Sequence, residues 1–295
     1  MAVLCLDIGG TEVKAMLKGS DFEKDLANFP SKAGTNAPDI KNDVFDLVDK
    51  LKNDYDIEGI AISTAGMVDY KTGIIAGHGP TFKNYKGFDW KKEIKDGLGI
   101  PAVVENDVKS AAMGEMNFGA GLGHDSAFVL TVGTGIGGCL ILDGKIHRGA
   151  SGHAGEIGYM PFETDKFEAL GSTSALVKNS LKNYPDKNLD NGKKIFEAID
   201  AGDEDAQKLV DEMTDILARG ISNIMLIANP EVILIGGGVS EQKEKIIDPI
   251  IEKIKTYVPE NIFEKTEIKP TKLGNKSGLY GAYAIYKQNT NESKL

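Results

Sequence analysis

Short apolar runs that end in glycine alternate along this chain with stretches of helical period, and the alternation predicts an α/β protein. Residues 3–6 are apolar and run into Asp7-Ile8-Gly9-Gly10-Thr11. Beyond the glycines, Val13, Ala15 and Leu17 alternate with Lys14, Met16 and Lys18, a period of two that predicts a second strand and excludes a phosphate loop followed by a helix. The same grammar returns about a hundred residues later. A strand at 127–132, the run Gly133-Thr134-Gly135-Ile136-Gly137-Gly138 and a strand at 139–142 are closed by the Asp143-Gly144 turn signal. Further strands are predicted at 59–64, 102–105, 232–235 and 267–270. Helices are predicted at 39–54, 90–98, 108–118, 173–182, 193–201, 203–228, 241–257 and 277–288, with 289–295 a frayed polar tail.

Glycine without Cβ lets backbone N–H groups converge on an anion, and a neighbouring threonine hydroxyl adds a donor. Both glycine runs are followed by strands, so a dinucleotide-binding turn is excluded, while a ligand-free glycine turn remains the alternative. Two such hairpins suggest an internal duplication with one phosphate-gripping loop per half, across a cleft that suits ATP.

The length of 295 residues favours two domains. The expected division is 1–109 and 110–276, with the C-terminal helix, 277–295, packing back on the first. Lys+Arg of 34 against Asp+Glu of 44 gives −10, with a pI near 5.0, which argues against nucleic acid and anionic membranes as partners. No apolar run approaches the ~20 residues of a membrane span, and the first residues enter a strand without a basic leader, so a cytoplasmic protein is expected. Cys5 and Cys139 lie inside apolar runs and predict core residues rather than a disulfide or a thiolate metal site.

Candidate chemistry collects at strand ends. Gly66 follows the strand at 59–64, where ligands approach backbone in open α/β sheets, although a plain turn explains it too. Asn106-Asp107 follows the strand at 102–105 and opens a helix. Asp is a favoured N-cap, yet a carboxylate here also suits a base that accepts the proton of an attacking hydroxyl. Gly236-Gly237-Gly238 sits between a strand and a helix and is the candidate for the adenosine side of a nucleotide. The loop at 77–87 is polar and aromatic enough to line a substrate pocket.

Five motifs in order, Leu6 to Thr11, Glu105-Asn106-Asp107, Gly133 to Gly138, Gly155-Glu156-Ile157-Gly158 and Ile235 to Gly238, resemble the ROK family of sugar kinases and repressors across essentially the whole chain. The resemblance implies an actin-like (RNase H-like) ATPase fold of two α/β domains around a cleft. It also implies ATP with magnesium, a sugar as the small-molecule partner, and a homodimer. It assigns Asp107 as general base at the sugar, Asn106 and Glu156 to sugar hydroxyls and, through the segment that follows the zinc loop in the family, Glu168 to the sugar as well; the strand-end Gly66 joins them as a candidate sugar contact. Asp7, Gly9, Gly10, Thr11, Gly133, Thr134 and Gly135 would hold phosphates and magnesium, and Gly236 and Gly237 adenosine. Most members carry a cysteine-rich zinc motif after this point, beginning with a histidine where this chain has Tyr159. There is no cysteine between 140 and 295, so three thiolate ligands cannot be assembled, no structural zinc is expected, and what orders residues 160–168 is left open. His153 matches no family residue. ROK repressors place a DNA-binding domain before the first glycine hairpin, which here begins by residue 7. The loop at 79–87 and Tyr159 are similar to the zinc-free bacterial N-acetylmannosamine kinases, with glucokinases and β-glucoside kinases as the alternative.

Overall fold

The computed structural model describes residues 1–31, 37–77 and 82–292. The chain forms two compact units, one of Met1–Leu122, Arg148–His153 and Asn275–Leu295, the other of Gly123–His147 and Ala154–Gly274.

In the first unit β1 (Ala2–Ile8) and β2 (Glu12–Lys18) form an antiparallel hairpin in which Asp7 pairs with Lys14. β3 (Glu23–Asp25) and β4 (Phe29–Pro30) pair with β2. α1 (Ala37–Leu51) leads to β5 (Ile57–Thr64), which lies parallel to β1. The ribbon β6 (Met67–Val68) and β7 (Ile75–Gly77) precedes α2 (Trp90–Leu98). β8 (Ala102–Asn106) lies parallel to β5, and α3 (Asp107–Phe118) begins without a connector. The sheet order is β3-β2-β1-β5-β8. Leu4, Leu6, Ile60, Ile62 and Trp90 are fully buried in its core.

The second unit repeats the plan. β9 (Ala127–Val132), β10 (Ile136–Leu142) and β11 (Lys145–Ile146) form an antiparallel meander. The helices α4 (Phe167–Gly171), α5 (Thr173–Asn183), α6 (Gly192–Asp200) and α7 (Glu204–Ala228) follow. β12 (Val232–Gly236) is parallel to β9, and after α8 (Asp248–Tyr257) and α9 (Glu260–Phe263) comes β13 (Glu267–Pro270), parallel to β12. The order β11-β10-β9-β12-β13 reproduces that of the first sheet, so the duplication inferred from two glycine hairpins is present in the topology. The chain then returns to the first unit as α10 (Ser277–Glu292).

Several boundaries differ from expectation for identifiable reasons. The strand expected at 139–142 begins at Ile136, because Gly137 and Gly138 pair with Thr131 and Leu130 instead of forming the turn. The helix expected at 241–257 is a π-helical turn, Lys243–Ile247, followed by α8, whose Pro249 has no N–H to continue the ladder. The tail expected to fray from 289 is helical to Glu292, and Thr290 Oγ1 donates back to Tyr286 O at 2.9 Å. The domain boundary expected at 109/110 falls inside α3, which belongs wholly to the first unit because it crosses α10 closely: a Cβ on Gly281 would stand 1.6 Å from Ser110 O.

Candidate active site

Register assembles the polar end of the first sheet. Asp7, Ser63 and Glu105 are direct neighbours across β1, β5 and β8, and Ile8, Thr64 and Asn106 form the next row. Paired residues of parallel strands share a face, so the three polar side chains of the first row lie together. Ser63 Oγ donates to Asp7 Oδ1 at 2.8 Å, and Lys14 Nζ lies 3.6 Å from Asp7 Oδ2. A Cβ on Gly278, in the first turn of α10, would stand 2.8 Å from Asp7 Oδ1, so glycine there is what lets the helix approach the carboxylate. The Gly9-Gly10-Thr11 turn closes the hairpin beside it, with Gly9 N donating to Glu12 O at 3.1 Å and Thr11 exposed.

Asn106, rather than Asp107, is the N-cap of α3. Its Oδ1 accepts from Val108 N at 3.0 Å and Lys109 N at 3.2 Å. Its Nδ2 donates to Gly66 O at 3.0 Å and to Asp107 Oδ1 at 2.8 Å. All the hydrogen-bonding positions of this amide are therefore filled from within the chain, and Gly66, at φ 107°, supplies one partner. Asp107 Oδ1 also accepts from Val108 N at 2.9 Å, while Oδ2 has no partner among the described residues. Burial pushes the Asp107 carboxyl up to about 6; the charge of Asp7 adds to the rise, and the bonds from Val108 and Asn106 oppose it.

Beneath this corner lies an aromatic cluster. Tyr85 OH is 2.6 Å from Thr64 Oγ1 and accepts from Trp90 Nε1 at 3.0 Å, and Phe82 packs edge-on at 5.0 Å. Phe82 and Tyr85 are buried, so these two residues of the 77–87 loop support the strand end instead of lining a pocket. Residues 78–81 of this loop lie outside the described residues.

In the second unit the Gly133-Thr134-Gly135 turn is held from below by Thr173, at the start of α5, whose backbone N and Oγ1 both donate to Gly133 O, at 2.9 and 2.6 Å. Nothing stands within 4 Å of a Cβ position on Gly133, and Thr134 is exposed, so the upper side of the turn is open to an anion. Glu168 Oε2 would lie 3.0 Å from a Cβ on Gly135 and 3.2 Å from one on Gly158, which sets its carboxylate between the turn and the Glu156–Tyr159 segment. Glu156 is exposed and precedes the short 3-10 turn Ile157–Tyr159. Gly138 and Gly155 pack back to back, each leaving no room for a Cβ on the other. Gly237, at φ 86°, would place a Cβ 2.3 Å from Val132 O, and Gly236 packs on Thr271; only Gly238 of this triplet faces open space.

The segment 160–168 is ordered by aromatic packing. Phe167 is fully buried against Gly220 of α7, Phe162 stacks on it at 5.1 Å, and Pro161 bridges Lys166. Tyr159 stands exposed with Lys166 Nζ 4.8 Å from its ring centroid. Phe167→Leu is expected to lower stability by about 1–2 kcal/mol, the usual scale for a shape change in a packed core, while EDTA leaves the wild-type melting temperature unchanged. Melting curves with and without chelator check this; a wild-type protein that loses stability in EDTA would show that a metal holds the segment.

A hairpin with two parallel strands beside it, built twice in one chain and carrying a glycine turn in each copy, defines the actin-like, RNase H-like ATPase fold. Within that class the chain belongs to the ROK family, whose match spans residues 3–289. It is 40% identical over 97% of its length to an uncharacterised protein of Clostridium perfringens, covering 98% of that protein. It is 29% identical to a glucokinase of Halalkalibacterium halodurans, covering 97% of this chain and 95% of that one. Among solved structures, a Streptomyces griseus ROK glucokinase in complex with glucose and AMPPNP superposes with a TM-score of 0.78 at 28% identity, covering 98% of this chain and all of that one. A Listeria monocytogenes protein provisionally assigned as an N-acetylmannosamine kinase gives 0.81 at 26% identity, with the same coverage.

Proposed function

We propose that this protein is an ATP-dependent sugar kinase that transfers the γ-phosphoryl group to the 6-hydroxyl of N-acetylmannosamine, with Asp107 as general base. The observation that carries the reading is the Asp107 carboxyl: one oxygen is fixed by Val108 and Asn106, the other has no partner among the described residues, and burial raises its pKa to about 6, which leaves it ionised yet basic near neutral pH. The sugar hydroxyl delivers its proton to Oδ2 as its oxygen attacks the γ-phosphorus and the bond to the bridging oxygen breaks, releasing ADP. Gly66, Glu156 and Glu168 bind the remaining hydroxyls. Asn106 meets the sugar only by exchanging its bond to Asp107, so its first task is to aim that carboxylate. Gly133, Thr134 and Gly135, with Gly9, Gly10 and Thr11, hold phosphates through backbone N–H groups, and Gly236 and Gly237 hold adenosine.

Magnesium, when bound, neutralises charge on the phosphates, and Asp7 is the carboxylate suited to it. This ion takes one or two carboxylates together with substrate phosphates, so a single Asp fits that donor set. A cytoplasmic homodimer completes the reading.

The choice of N-acetylmannosamine is supported by Tyr159 in place of a zinc-ligand histidine and by the Listeria monocytogenes structure. The glucokinase relative favours glucose as the second reading, with a β-glucoside beside it because zinc-free β-glucoside kinases share the Tyr159 feature. Coupled ADP release across N-acetylmannosamine, N-acetylglucosamine, glucose, fructose, mannose and cellobiose is expected to give the highest kcat/KM for N-acetylmannosamine. A higher value for glucose or cellobiose would replace the substrate and keep the kinase; release stimulated by none of them would remove the kinase.

A further inference from the structure

Arg148–His153 is a six-residue excursion: it packs as part of the first unit, although the chain on both sides of it belongs to the second. Contacts at both of its ends tie it down. At its start, Arg148 Nη2 lies 2.6 Å from Glu105 Oε2, and the guanidinium stacks over Tyr70, 4.3 Å from the ring centroid. Near its end, Gly152 O accepts from Lys109 Nζ at 2.6 Å, and Lys109 is 3% exposed. Glu105 and Lys109 stand two residues before and two residues after Asp107. The excursion is therefore stapled to both sides of the corner that carries the carboxylate, and three residues beyond it the chain reaches Glu156.

The Glu105–Arg148 pair is a poor device for stability alone. Glu105 is 1% exposed, and Arg148 Nη1 is buried with no hydrogen-bond partner among the described residues. A buried carboxylate paired with a part-buried guanidinium that leaves one donor unsatisfied gains little stability over apolar residues of the same volume. What the pair supplies is orientation and charge balance. Glu105 Oε1 accepts the N–H of Asn106 at 2.9 Å, so the arginine fixes the carboxylate, the carboxylate fixes the backbone of Asn106, and the Asn106 amide fixes Asp107. A planar guanidinium held by an ion pair and an aromatic face does this in a way a flexible ammonium does not.

We propose that Glu105 and Arg148 are positioning residues for Asp107, setting the geometry of its corner and cancelling a buried charge beside it. The proposal rests on Asp107 as the base. The charged and titratable groups around that carboxylate and the pair beside it are Asp7 and Lys14 on the first hairpin, Tyr85 ahead of α2, Lys91 on α2, Glu105 on β8, Lys109 on α3 and Arg148 on the excursion. Removing only Arg148 leaves Glu105 as an uncompensated anion and raises the Asp107 pKa. Removing only the Glu105 charge leaves an uncompensated cation and lowers it.

The test is the pH profile of kcat/KM, with kcat, the KM for ATP and the melting temperature measured on the same full-length proteins. Arg148→Met is expected to lower kcat by about 10- to 100-fold, the scale of a misplaced reacting group, with the KM for ATP unchanged, and to move the acid limb up by roughly half a unit to one unit. Glu105→Gln, which keeps the bond to Asn106, moves the limb down. The double variant Glu105→Gln with Arg148→Met returns the limb to its wild-type position and recovers part of the kcat lost in Arg148→Met. Arg148→Lys keeps the charge and loses the fork and the stack, so kcat falls while the limb stays; together with Glu105→Gln it carries the test should Arg148→Met not fold. Wild-type kcat and limb in Arg148→Met, or losses that merely add in the double variant with the limb unmoved, would overturn the proposal. Full turnover in Asp107→Asn removes the reading on which it rests, whereas an inactive Asp107→Asn beside an unaltered Arg148→Met removes the positioning role alone.

Discussion

Asp107→Asn is expected to lower kcat by about 10²- to 10⁴-fold while ATP still binds, because asparagine keeps the size of the side chain and removes the group that receives the proton. Two further readings separate loss of a base from loss of a fold. In the wild type, kcat/KM should fall tenfold for each pH unit below about 6, the value to which burial and the neighbouring Asp7 raise the Asp107 carboxyl; the residual activity of the variant should lack this limb. Stability should move the other way. The folded carboxyl titrates above its ordinary value of 3.8, so the folded state holds the proton more tightly and loses stability as pH rises through about 6. Removing the ionisable group relieves this, and the variant is expected to be more stable at pH 7–8 by on the order of 1–2 kcal/mol. Coupled ADP release, ATP titration calorimetry and urea unfolding check the three statements. Near-normal turnover in the variant would take the base role from Asp107.

Gly281→Ala is expected to be among the most destabilising single-methyl changes this chain can suffer. A Cβ there would sit 1.6 Å from Ser110 O, and one on Gly114, across the crossing, 2.3 Å from Ser277 O. Alanine favours an isolated helix over glycine by only about 1 kcal/mol. Here α3 and α10 would have to separate, at a cost of about 3 kcal/mol or more, a large share of the roughly 5–15 kcal/mol that holds a domain folded. The same displacement draws Gly278 away from Asp7 and shifts the start of α3 at Asp107, so activity should fall well before the midpoint of unfolding is reached. A urea midpoint equal to that of the wild type would show that the crossing is not tight.

Local pattern made much of this molecule legible. β9, α2 and β13 have the bounds that the local pattern predicts, and two strand–glycine–strand runs correctly announced a repeated topology. What escaped depends on partners distant in sequence. Gly137 and Gly138 read as turn, yet Gly138 is a strand residue that must be small because Gly155 lies against it. Asp107 reads as a cap, yet Asn106, one residue earlier and still extended at the strand end, takes that place. Phe82 and Tyr85 read as pocket lining because nothing local shows that Thr64 and Trp90 wait beneath them. Thr173 under the Gly133 turn and Arg148 on Glu105 carry no signal at all in a single sequence, since each meets its partner about forty residues away along the chain.

The return of α10 to the first unit has a consequence for how the protein comes into being. On the ribosome, β1 to α3 emerge early, but the helix that closes against Ser110 and approaches Asp7 emerges only after the whole second unit has been made. Domains generally fold in the order in which they are synthesised. Until α10 emerges, the sheet bearing Asp7 lacks the helix that packs on β1 and β5, so that chains cut short before α10 would expose apolar sheet to chaperones and proteases.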